Sequence, residues 1–344
     1  MSRRRQPDLF VAFTLALVAL AAITSDSRLR ADGSGCRFTG IDRIVAIGDV
    51  HGAYDRFVEI LMASGLVDKQ QRWIGGRTHL VQLGDVVDRG PDSAKAIDLL
   101  RRLEKDAARA GGAVHPLLGN HEVMRVLGDL RFVSPGEYAA FVTEKSEEVR
   151  NAYVKKAADL KEPVDQPPLG FVELRTNFGR NGRYGDWLRT LDAVVQINGT
   201  IFVHGGIGPA TASLTCESIN ETVRREITVD LDKTRGAPLT SLAARPDGPL
   251  WYRGLAQEPE TFAPVVDDIL AKQHARTIVI AHTVTADSRI QTRFEGRVVQ
   301  LDTGMQPAYV ATGRAAALLI EGDVMTAIYT DGREVLAGPP RKEP

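Results

Sequence analysis

The chain has 344 residues, of which 43% are hydrophobic and 25% are charged, and its formal net charge is -1. A chain of this length forms one large globular domain or two smaller ones. Its charge shows no overall basic excess, so we expect no nucleic-acid partner. Two cysteines, Cys36 and Cys216, are too few for a disulfide framework or a thiolate metal cluster. They form one bridge in an oxidising compartment or remain two free thiols, and the sequence leaves both open.

The N-terminal segment differs from the rest of the chain. Arginines at positions 3–5 precede an apolar run from Leu9 to Ile23 that only Thr14 interrupts. This pattern is typical of a signal peptide, and the run is short for a membrane span of about 20 residues. No clear cleavage site follows, so we predict either a signal peptide or an uncleaved membrane anchor over residues 1–25. Both place the folded part outside the cytoplasm, periplasmic or membrane-anchored; a helix packed on the domain is the alternative.

A linker is predicted at 26–40, where the sequence is polar and rich in glycine, and the folded domain follows from residue 41. Its apolar runs predict strands that each end in a glycine or polar loop, and the runs are 43–47, 78–83, 113–118, 200–203 and 277–280. Helical patterns lie at 53–64, 92–110 and 259–273. The first half therefore has a βαβα order. Because these strands are almost continuously apolar, we expect a sheet that is covered on both faces.

Residues 131–198 interrupt this order and carry a charged helical pattern. We predict a helical insertion or cap, which either shapes substrate access or only covers a sheet edge. Beyond it, short β-like runs predict an antiparallel meander in a second sheet packed on the first. These runs are 289–294, 297–301, 315–320 and 324–329. The domain is predicted to end at residue 334, before a proline- and charge-rich disordered tail at 335–344.

Metal-competent side chains follow the five predicted strands. In an open α/β sheet, loops at the carboxyl ends of strands converge on one crevice. Carboxylates, an amide and imidazoles, without thiolates, suit manganese, iron or zinc. Six or more ligands are too many for one ion with an open position, and they suit two ions that share a carboxylate. The residues are Asp49, His51, Asp85, Asn120, His121, His204 and His282.

A two-metal site of this kind suits the hydrolysis of phosphate esters. Two cations offset the phosphate charge and lower the pKa of water, so that a metal-activated hydroxide attacks phosphorus near neutral pH. The leaving alkoxide needs a proton, which an imidazole outside the ligand set supplies when a carboxylate orients it. Arginine forks bind the phosphoryl oxygens. The segment 84–90, Gly-Asp-Val-Val-Asp-Arg-Gly, offers a ligand, an orienting carboxylate and an arginine together.

These motifs resemble the calcineurin-like metallophosphoesterase superfamily, and in particular its phosphoprotein-phosphatase branch. In chain order they are GDVHG at 48–52, GDVVDRG at 84–90, GNHE at 119–122, HGG at 204–206 and AHT at 281–283. The segments RWIGGRTHLVQLGDVVDRGPDS and PLWYRG further resemble the bacterial Shewanella-like phosphatases. The resemblance covers about residues 44–320. It implies an α/β fold, a β-sandwich of two mixed sheets flanked by helices, with the insertion at 131–198 inside a domain at 41–334.

The resemblance also implies a role for each matching residue. The implied metal ligands are Asp49 and His51 for the first ion, Asp85 for both, and Asn120, His204 and His282 for the second. His121 is implied to be the general acid and Asp88 to orient it. Arg89 is implied to bind the substrate phosphate. Arg253 is implied to be a second phosphate-binding arginine, the alternative being a surface arginine beside a packed tryptophan.

The function that follows is a dinuclear metal-dependent phosphomonoesterase that acts on phosphoproteins or small phosphoesters. Phosphotyrosine and phosphoserine or phosphothreonine substrates stay open, because the resembled branch includes enzymes for each. One alternative is a nucleotide-anhydride hydrolase resembling diadenosine-tetraphosphatases, which usually have GNHD where this chain has Glu122. Another is a non-catalytic, metal-bound module of the cell envelope. The combination of His121, Asp88 and Arg89 argues against that module, because metal binding requires none of them.

Several further polar residues are expected to serve the fold. His79, His115 and His274 lie outside the predicted ligand loops and are expected to be core or surface histidines. Asp302, in the segment Leu-Asp-Thr-Gly at 301–304, is expected to be a turn residue. The alternative is that Asp302 supports the metal ligands without itself binding metal. The oligomeric state is not indicated by the sequence.

Overall fold

The structure is a computed structural model that describes residues 30–31, 35–160 and 166–336. Across these residues the strands form two mixed sheets, of seven and six strands. The strands are β1 (Arg30–Ala31), β2 (Arg37–Thr39), β3 (Arg43–Ile47), β4 (His79–Gln82), β5 (Ala113–Pro116), β6 (Val194–Ile197), β7 (Thr200–Val203), β8 (Thr277–Ile280), β9 (Gln291–Arg293), β10 (Val298–Gln300), β11 (Ala316–Glu321), β12 (Val324–Tyr329) and β13 (Gly332–Leu336). The predicted α/β sandwich of two mixed sheets is confirmed.

Helices flank both sheets. In chain order they are α1 (Tyr54–Ala63), α2 (Ser93–Arg109), α3 (Asn120–Leu127), α4 (Pro135–Ala139), α5 (Ser146–Asp159), α6 (Phe171–Phe178), α7 (Arg183–Leu188), α8 (Cys216–Glu226), α9 (Leu231–Gly236), α10 (Gly254–Gln257) and α11 (Ala263–Lys272). Two short 3₁₀ turns lie at Pro238–Thr240 and Glu260–Phe262. None of the helices in the described part of the chain combines the length and apolar character needed to span a membrane.

The strand order brings parallel strands of the two sheets to one site. The six-stranded sheet has the order β13-β12-β11-β3-β4-β5, in which β3, β4 and β5 run parallel. The seven-stranded sheet has the order β1-β2-β6-β7-β8-β10-β9, in which β7 and β8 run parallel. Parallel neighbours require crossover connections, and α1 and α2 supply those of the first sheet. Each of these five strands carries predicted site residues after its carboxyl end.

Alternate residues of the central strand β3 face two different cores. Ile44 and Ala46 belong to the apolar cluster between the two sheets, together with Phe202 of β7. Val45 and Ile47 belong to the cluster under the helices. All five side chains are at most 1% exposed. Since β3 is buried on both faces, an apolar residue is favoured at every position, which explains the continuous apolar run.

Three predictions about the organisation of the chain are wrong in part. The linker predicted at 26–40 includes β2, which extends the seven-stranded sheet by pairing with β6. The helical insertion predicted at 131–198 contains α4 to α7, but its end forms β6, which pairs with β7. The tail predicted at 335–344 starts too early, because Val335 and Leu336 belong to β13. The signal peptide or anchor predicted at 1–25, and residues 337–344, lie outside the described residues.

The predicted C-terminal meander is divided between the sheets. β9 and β10 form a hairpin at the edge of the seven-stranded sheet, where β10 runs parallel to β8. β11, β12 and β13 form the antiparallel meander of the six-stranded sheet. The sequence pattern marks each strand but not its partner. The connection between β10 and β11 carries the chain from one sheet to the other.

Cys36 and Cys216 form a disulfide bond with a Cα–Cα distance of 6.3 Å. The bridge joins the residue before β2 to the first residue of α8 across 180 positions of the chain. It therefore ties the N-terminal edge of the seven-stranded sheet to a helix that packs beside β6. Of the two alternatives that the sequence leaves open, the structure has the bridge.

Candidate active site

All six predicted metal ligands lie together after the carboxyl ends of β3, β4, β5, β7 and β8. Each is buried, and none is more than 7% exposed. They are Asp49, His51, Asp85, Asn120, His204 and His282. The convergence expected for loops at the carboxyl ends of parallel strands is therefore present, here with strands from both sheets.

Several site residues adopt a left-handed backbone conformation. The φ angles are 48° at His51, 52° at Asp85, 72° at Asp88, 64° at Arg89 and 67° at His282. For non-glycine residues such angles are uncommon, and strained backbone conformations of this kind cost about 1–3 kcal/mol each. They persist where the surroundings fix them. For example, the N–H groups of Val50 and His51 both donate to the carbonyl of Asp85, at 3.0 and 2.9 Å.

The carboxylate of Glu122 holds the second and third ligand loops together. Its Oε2 accepts hydrogen bonds from the backbone N–H groups of Asp85 at 2.7 Å and Gly119 at 2.8 Å. Its Oε1 accepts from the N–H of Val86 at 2.8 Å. A Cβ on Gly119 would lie 2.2 Å from Oδ1 of Asp85, so only glycine allows the loops to approach this closely. Glu122 thus fixes the position of Asp85.

His51 presents a nitrogen lone pair to two carboxylates. Its Nδ1 donates to the carbonyl of Val87 at 2.9 Å, because a carbonyl only accepts. Burial lowers the pKa of His51 to about 4, so the ring is neutral at pH 7. Its Nε2 lies 3.7 Å from Oδ2 of Asp49 and 3.7 Å from Oδ2 of Asp85. A lone pair and two carboxylates repel one another unless a cation lies between them.

His204 and His282 repeat this arrangement on the other side of Asp85. His204 Nδ1 donates to the carbonyl of Leu83 at 2.8 Å. Its Nε2 lies 2.9 Å from Oδ1 of Asn120 and 3.3 Å from Oδ2 of Asp85. The Nε2 atom of His282 is buried and has no hydrogen-bond partner among the described residues. Burial, followed by the nearby His204, lowers the pKa of His282 well below its usual range, so the ring is neutral and offers one nitrogen lone pair.

Asp49 and Asp302 form a buried pair of carboxyl groups behind these ligands. Asp302 accepts a hydrogen bond from the N–H of Gly304 at 2.9 Å, which is the turn role expected from the sequence. Its carboxyl group also contacts that of Asp49. Burial, then the charges of Asp302 and Asp85, raise the pKa of Asp49. Asp302 therefore serves both the turn and the site.

Two groups of ligand atoms share the carboxylate of Asp85. One consists of His51, Asp85 and His121 and the other of Asp85, His204 and His282, with the atoms of each group within 4.8 Å of one another. A carboxylate common to two groups is what a two-metal site requires of its bridging ligand. The orphaned Nε2 of His282 and the facing lone pairs of His51 and His204 fit divalent metal ions.

His121 and Asp88 form a hydrogen-bonded pair next to this cluster. His121 Nδ1 lies 2.7 Å from Oδ2 of Asp88, and both side chains are buried. Burial lowers the pKa of His121, but the carboxylates of Asp85 and Asp88 outweigh it and raise the pKa above its usual value. The Nε2 atom of His121 stays on the side of the metal ligands, 3.8 Å from Oδ2 of Asp85. This geometry suits an imidazole that donates a proton from Nε2.

Arg89 lies between two aromatic rings at the edge of the cluster. Its guanidinium carbon is 3.7 Å from the ring centroid of Tyr309 and 4.9 Å from that of Phe132. Tyr309 is 44% and Phe132 38% exposed, so both rings border the opening of the site. The Nε atom of Arg89 has no hydrogen-bond partner among the described residues. Stacking fixes the plane of the guanidinium while leaving its donors for a ligand.

Arg253 lies near the last ligand loop and is half-buried. Its Nη1 donates to the carbonyl of His282 at 3.0 Å and to Oγ1 of Thr283 at 2.9 Å. Trp251 packs edge-on against His282, with ring centroids 5.9 Å apart. Arg253 is therefore held at the ligand loop and not on the open surface, with its other nitrogens available.

Sequence reasoning missed several residues of the site. The missed residues are Arg125, which contacts Asp88, Glu137, which contacts Arg125, Phe132 and Tyr309 around Arg89, and the loop-fixing role of Glu122. A charged residue one helical turn after His121 was the available signal for Arg125. The expected fold roles of His79 and His115 hold, since their rings bond to each other at 3.0 Å.

Comparison with known proteins identifies the family of the chain. A family model described as calcineurin-like phosphoesterase matches residues 42–286. The chain belongs to the calcineurin-like phosphoesterase family. As a member, this calcineurin-like phosphoesterase is a metal-dependent hydrolase of phosphoric monoesters, as the sequence predicts. Its ligand cluster and its family both support divalent metals.

Relatives of this calcineurin-like phosphoesterase cover most of its length. It is 32% identical over 295 residues to an uncharacterized protein of Schizosaccharomyces pombe, covering 83% of this chain and 80% of that protein. It is 29% identical to Shewanella-like protein phosphatase 2 of Arabidopsis thaliana, covering 86% and 79%. The solved cold-active protein-tyrosine phosphatase of a psychrophilic Shewanella species matches with a TM-score of 0.70 and 28% identity, covering 87% and 82%. The predicted resemblance to Shewanella-like phosphatases is confirmed.

Proposed function

We propose that this phosphoesterase is a protein phosphatase that holds two metal ions and accepts phosphotyrosine. The observation that carries this proposal is the buried hydrogen bond between His121 Nδ1 and Asp88, at the edge of the ligand cluster that Asp85 joins. Metal binding alone requires neither His121 nor Asp88, whereas cleavage of an ester requires a proton for the leaving oxygen. The pair therefore favours a catalytic centre over a metal-bound binding module.

The residues of the chain divide the reaction between them. Bound metals supply positive charge for the phosphate and lower the pKa of water at the site. Asp85 would hold both ions, and His51, His204 and His282 would complete the two ligand groups. Arg89 and Arg253 bind the phosphoryl oxygens. His121 donates its Nε2 proton to the leaving oxygen while Asp88 holds Nδ1.

Manganese, iron and zinc are the metals that we propose for this site. Its ligands are carboxylate, amide and imidazole groups, a mixture that suits these three ions better than calcium or magnesium, which prefer oxygen ligands. We propose Asp49 as the remaining ligand of the first ion, because its Oδ2 lies 3.7 Å from Nε2 of His51.

The opening of the site favours an aromatic phosphoester. Phe132 and Tyr309 stack on Arg89 and are still partly exposed, so the side chain that carries the phosphate meets the exposed parts of two aromatic rings. Aromatic pairs contribute about 0.5–1.5 kcal/mol beyond the area that they bury. The relative from Shewanella is named a protein-tyrosine phosphatase. Phosphoserine, which lacks a ring, gains nothing from these contacts.

We also propose that the protein works outside the cytoplasm. The Cys36–Cys216 disulfide supports this, since such bonds persist in oxidising compartments. The basic and apolar segment up to Ile23 is the export signal or the anchor. Cell fractionation with an antibody against the folded domain distinguishes the two: a cleaved protein is soluble in the periplasmic fraction, and an anchored protein sediments with membranes. Recovery in the cytoplasm contradicts the proposal.

The test of function compares three substrates. Phosphotyrosine peptide, phosphoserine peptide and diadenosine tetraphosphate are assayed side by side with manganese present. We expect the highest kcat/KM for the phosphotyrosine peptide. Preference for diadenosine tetraphosphate would instead favour the nucleotide-anhydride hydrolase, and no hydrolysis of any of the three would contradict a protein phosphatase.

A histidine variant tests the proton donor. Removal of a general acid costs about 10²–10⁴-fold in rate, so His121→Ala is expected to lower kcat on phosphotyrosine peptide by this range. The control is His274→Asn, which alters an exposed histidine with a φ of 50°, an angle that asparagine tolerates. Equal rates for His121→Ala and the parent would remove His121 from the mechanism.

A further inference from the structure

A buried arginine donates a hydrogen bond to the Asp88 oxygen that does not face His121. Arg125 lies on α3, one turn after His121, and its side chain is fully buried. Its Nη2 donates to Oδ1 of Asp88 and, at 3.0 Å, to Oε1 of Glu137. Its guanidinium carbon lies 4.6 Å from the ring centroid of Phe178. No predicted metal ligand is among these contacts.

Both oxygens of Asp88 are therefore fixed, Oδ1 by Arg125 and Oδ2 by His121. A carboxylate that is hydrogen-bonded at only one oxygen can rotate about its Cβ–Cγ bond, because the χ2 angle of aspartate has a broad distribution. Such a turn would move Oδ2 away from Nδ1 of His121 and release the ring. The bond to Arg125 prevents the turn and so sets the direction in which Nε2 of His121 points.

The helical insertion supplies the other contacts of Arg125. Glu137 lies on α4 and Phe178 on α6. Ser134 caps α4 by accepting from the N–H of Glu137 at 3.1 Å, and its hydroxyl donates to the carbonyl of Gly90 at 3.1 Å. The insertion is thereby bonded to the loop that carries Asp88. A cap that only covered a sheet edge would need none of these buried polar contacts.

We propose that Arg125 is a positioning residue for proton transfer, acting through Asp88 on His121, and that the insertion holds Arg125 in place through Glu137 and Phe178. This inference rests on the proposed role of His121 as general acid. It gives the insertion a role in orienting the general acid, which is separate from metal binding and phosphate binding. Arg125 itself touches neither substrate nor metal ligands.

The test uses leaving groups that differ in their need for a proton. Phenyl phosphate releases a basic phenolate and depends on the general acid, whereas 2,4-dinitrophenyl phosphate releases a weakly basic phenolate that needs no proton. We expect Arg125→Gln to lower kcat on phenyl phosphate about 10–100-fold, part of the full contribution of a general acid. On 2,4-dinitrophenyl phosphate we expect a change of at most about threefold. The ratio of the two rates is the readout.

A double-mutant cycle links Arg125 to Asp88. Residues that act as one unit have non-additive effects. Asp88→Asn alone is expected to shift the ratio at least as much as Arg125→Gln, and the double variant is expected to match Asp88→Asn. The control is Arg224→Gln, which breaks an ion pair with Asp192 elsewhere in the fold and is expected to keep the parent ratio.

The outcomes of these experiments distinguish a positioning role of Arg125 from a purely structural role. If Arg125→Gln lowers both rates equally, Arg125 serves stability only and the proposal is overturned. If it fails to fold, as judged by circular dichroism, Glu137→Ala and Phe178→Leu replace it, and an unchanged ratio in both overturns the proposal. A parent enzyme that hydrolyses neither phosphate contradicts the proposed function, whereas failure of the positioning role leaves parent activity intact.

Discussion

At the scale of single residues, the site consists of buried carboxyl and imidazole groups that repel one another unless a cation lies between them. Asp49, Asp85 and Asp302 bring three carboxyl groups into one buried cluster. Motif residues reveal most of these side chains, since each follows a strand in a glycine loop. Asp302 and Tyr309 come from the connection between the sheets, and local patterns do not show that this connection returns to the site.

Glu122 offers a test of how backbone contacts position a ligand. Glu122→Gln replaces one of the two accepting oxygens with an NH2 group, which only donates, so the N–H groups on one side of the side chain lose their acceptor. Loss of a group that orients a ligand weakens metal binding about 10–100-fold, and we expect this loss of manganese affinity by calorimetry. Glu226→Gln is the control, because Glu226 accepts from the N–H groups of Leu242 and Ala243 in a segment without predicted ligands. Equal affinities in the two variants would contradict the role of Glu122.

At the scale of elements, apolar runs predict strands well where both faces are buried. The prediction of β3 matches residues 43–47, and those of β7 and β8 match as well. The sequence pattern does not separate β6 from the insertion, because its apolar run is short and follows helices. The partner of β10 is set by tertiary packing on β8, which periodicity does not encode.

The docking of α4 predicts a pH-dependent stability. Burial raises the pKa of Glu137 from its usual value of 4.5 to about 7, although the charge of Arg125 lowers it. The native state therefore keeps a proton that the unfolded chain releases above pH 4.5, and stability falls as pH rises toward 7. Glutamine does not titrate. As pH rises from 4 to 8, the free energy of unfolding of Glu137→Gln should therefore increase by about 3 kcal/mol relative to that of the parent.

Urea denaturation of both metal-depleted proteins at several pH values measures this gain. Glu148→Gln, which removes an exposed carboxylate from α5, is the control for the change in net charge. A constant difference in the free energy of unfolding between Glu137→Gln and the parent, at every pH, would show that Glu137 ionises in the native state as it does in the unfolded chain.

At the scale of the whole molecule, two sheets supply one catalytic centre. β3, β4 and β5 contribute Asp49, Asp85 and Asn120, while β7 and β8 contribute His204 and His282. The site is therefore complete only when the sheets are packed, which explains why single motifs carry little information by themselves. The order of all five motifs made the fold predictable, whereas the bridge between Cys36 and Cys216 was left open by the sequence.

The disulfide should contribute to global stability. Removal of a native bridge typically costs about 2–5 kcal/mol, and the long chain segment between Cys36 and Cys216 favours the upper part of this range. We expect the double variant Cys36→Ala with Cys216→Ala to lose this amount in urea denaturation. Dithiothreitol should destabilise the parent to a similar extent and leave the double variant unchanged. A parent that is insensitive to the reductant would exclude a stabilising bridge.

Metal stoichiometry tests the central claim most directly. The purified protein is depleted with a chelator, and manganese binding and hydrolysis of p-nitrophenyl phosphate are then measured together. We predict about two bound ions per chain and recovery of activity on filling both, since Asp85 joins two ligand groups. Asp85→Asn should bind less than the parent and stay inactive. Full activity in the chelated parent, or saturation at one ion per chain, would contradict a two-metal phosphatase.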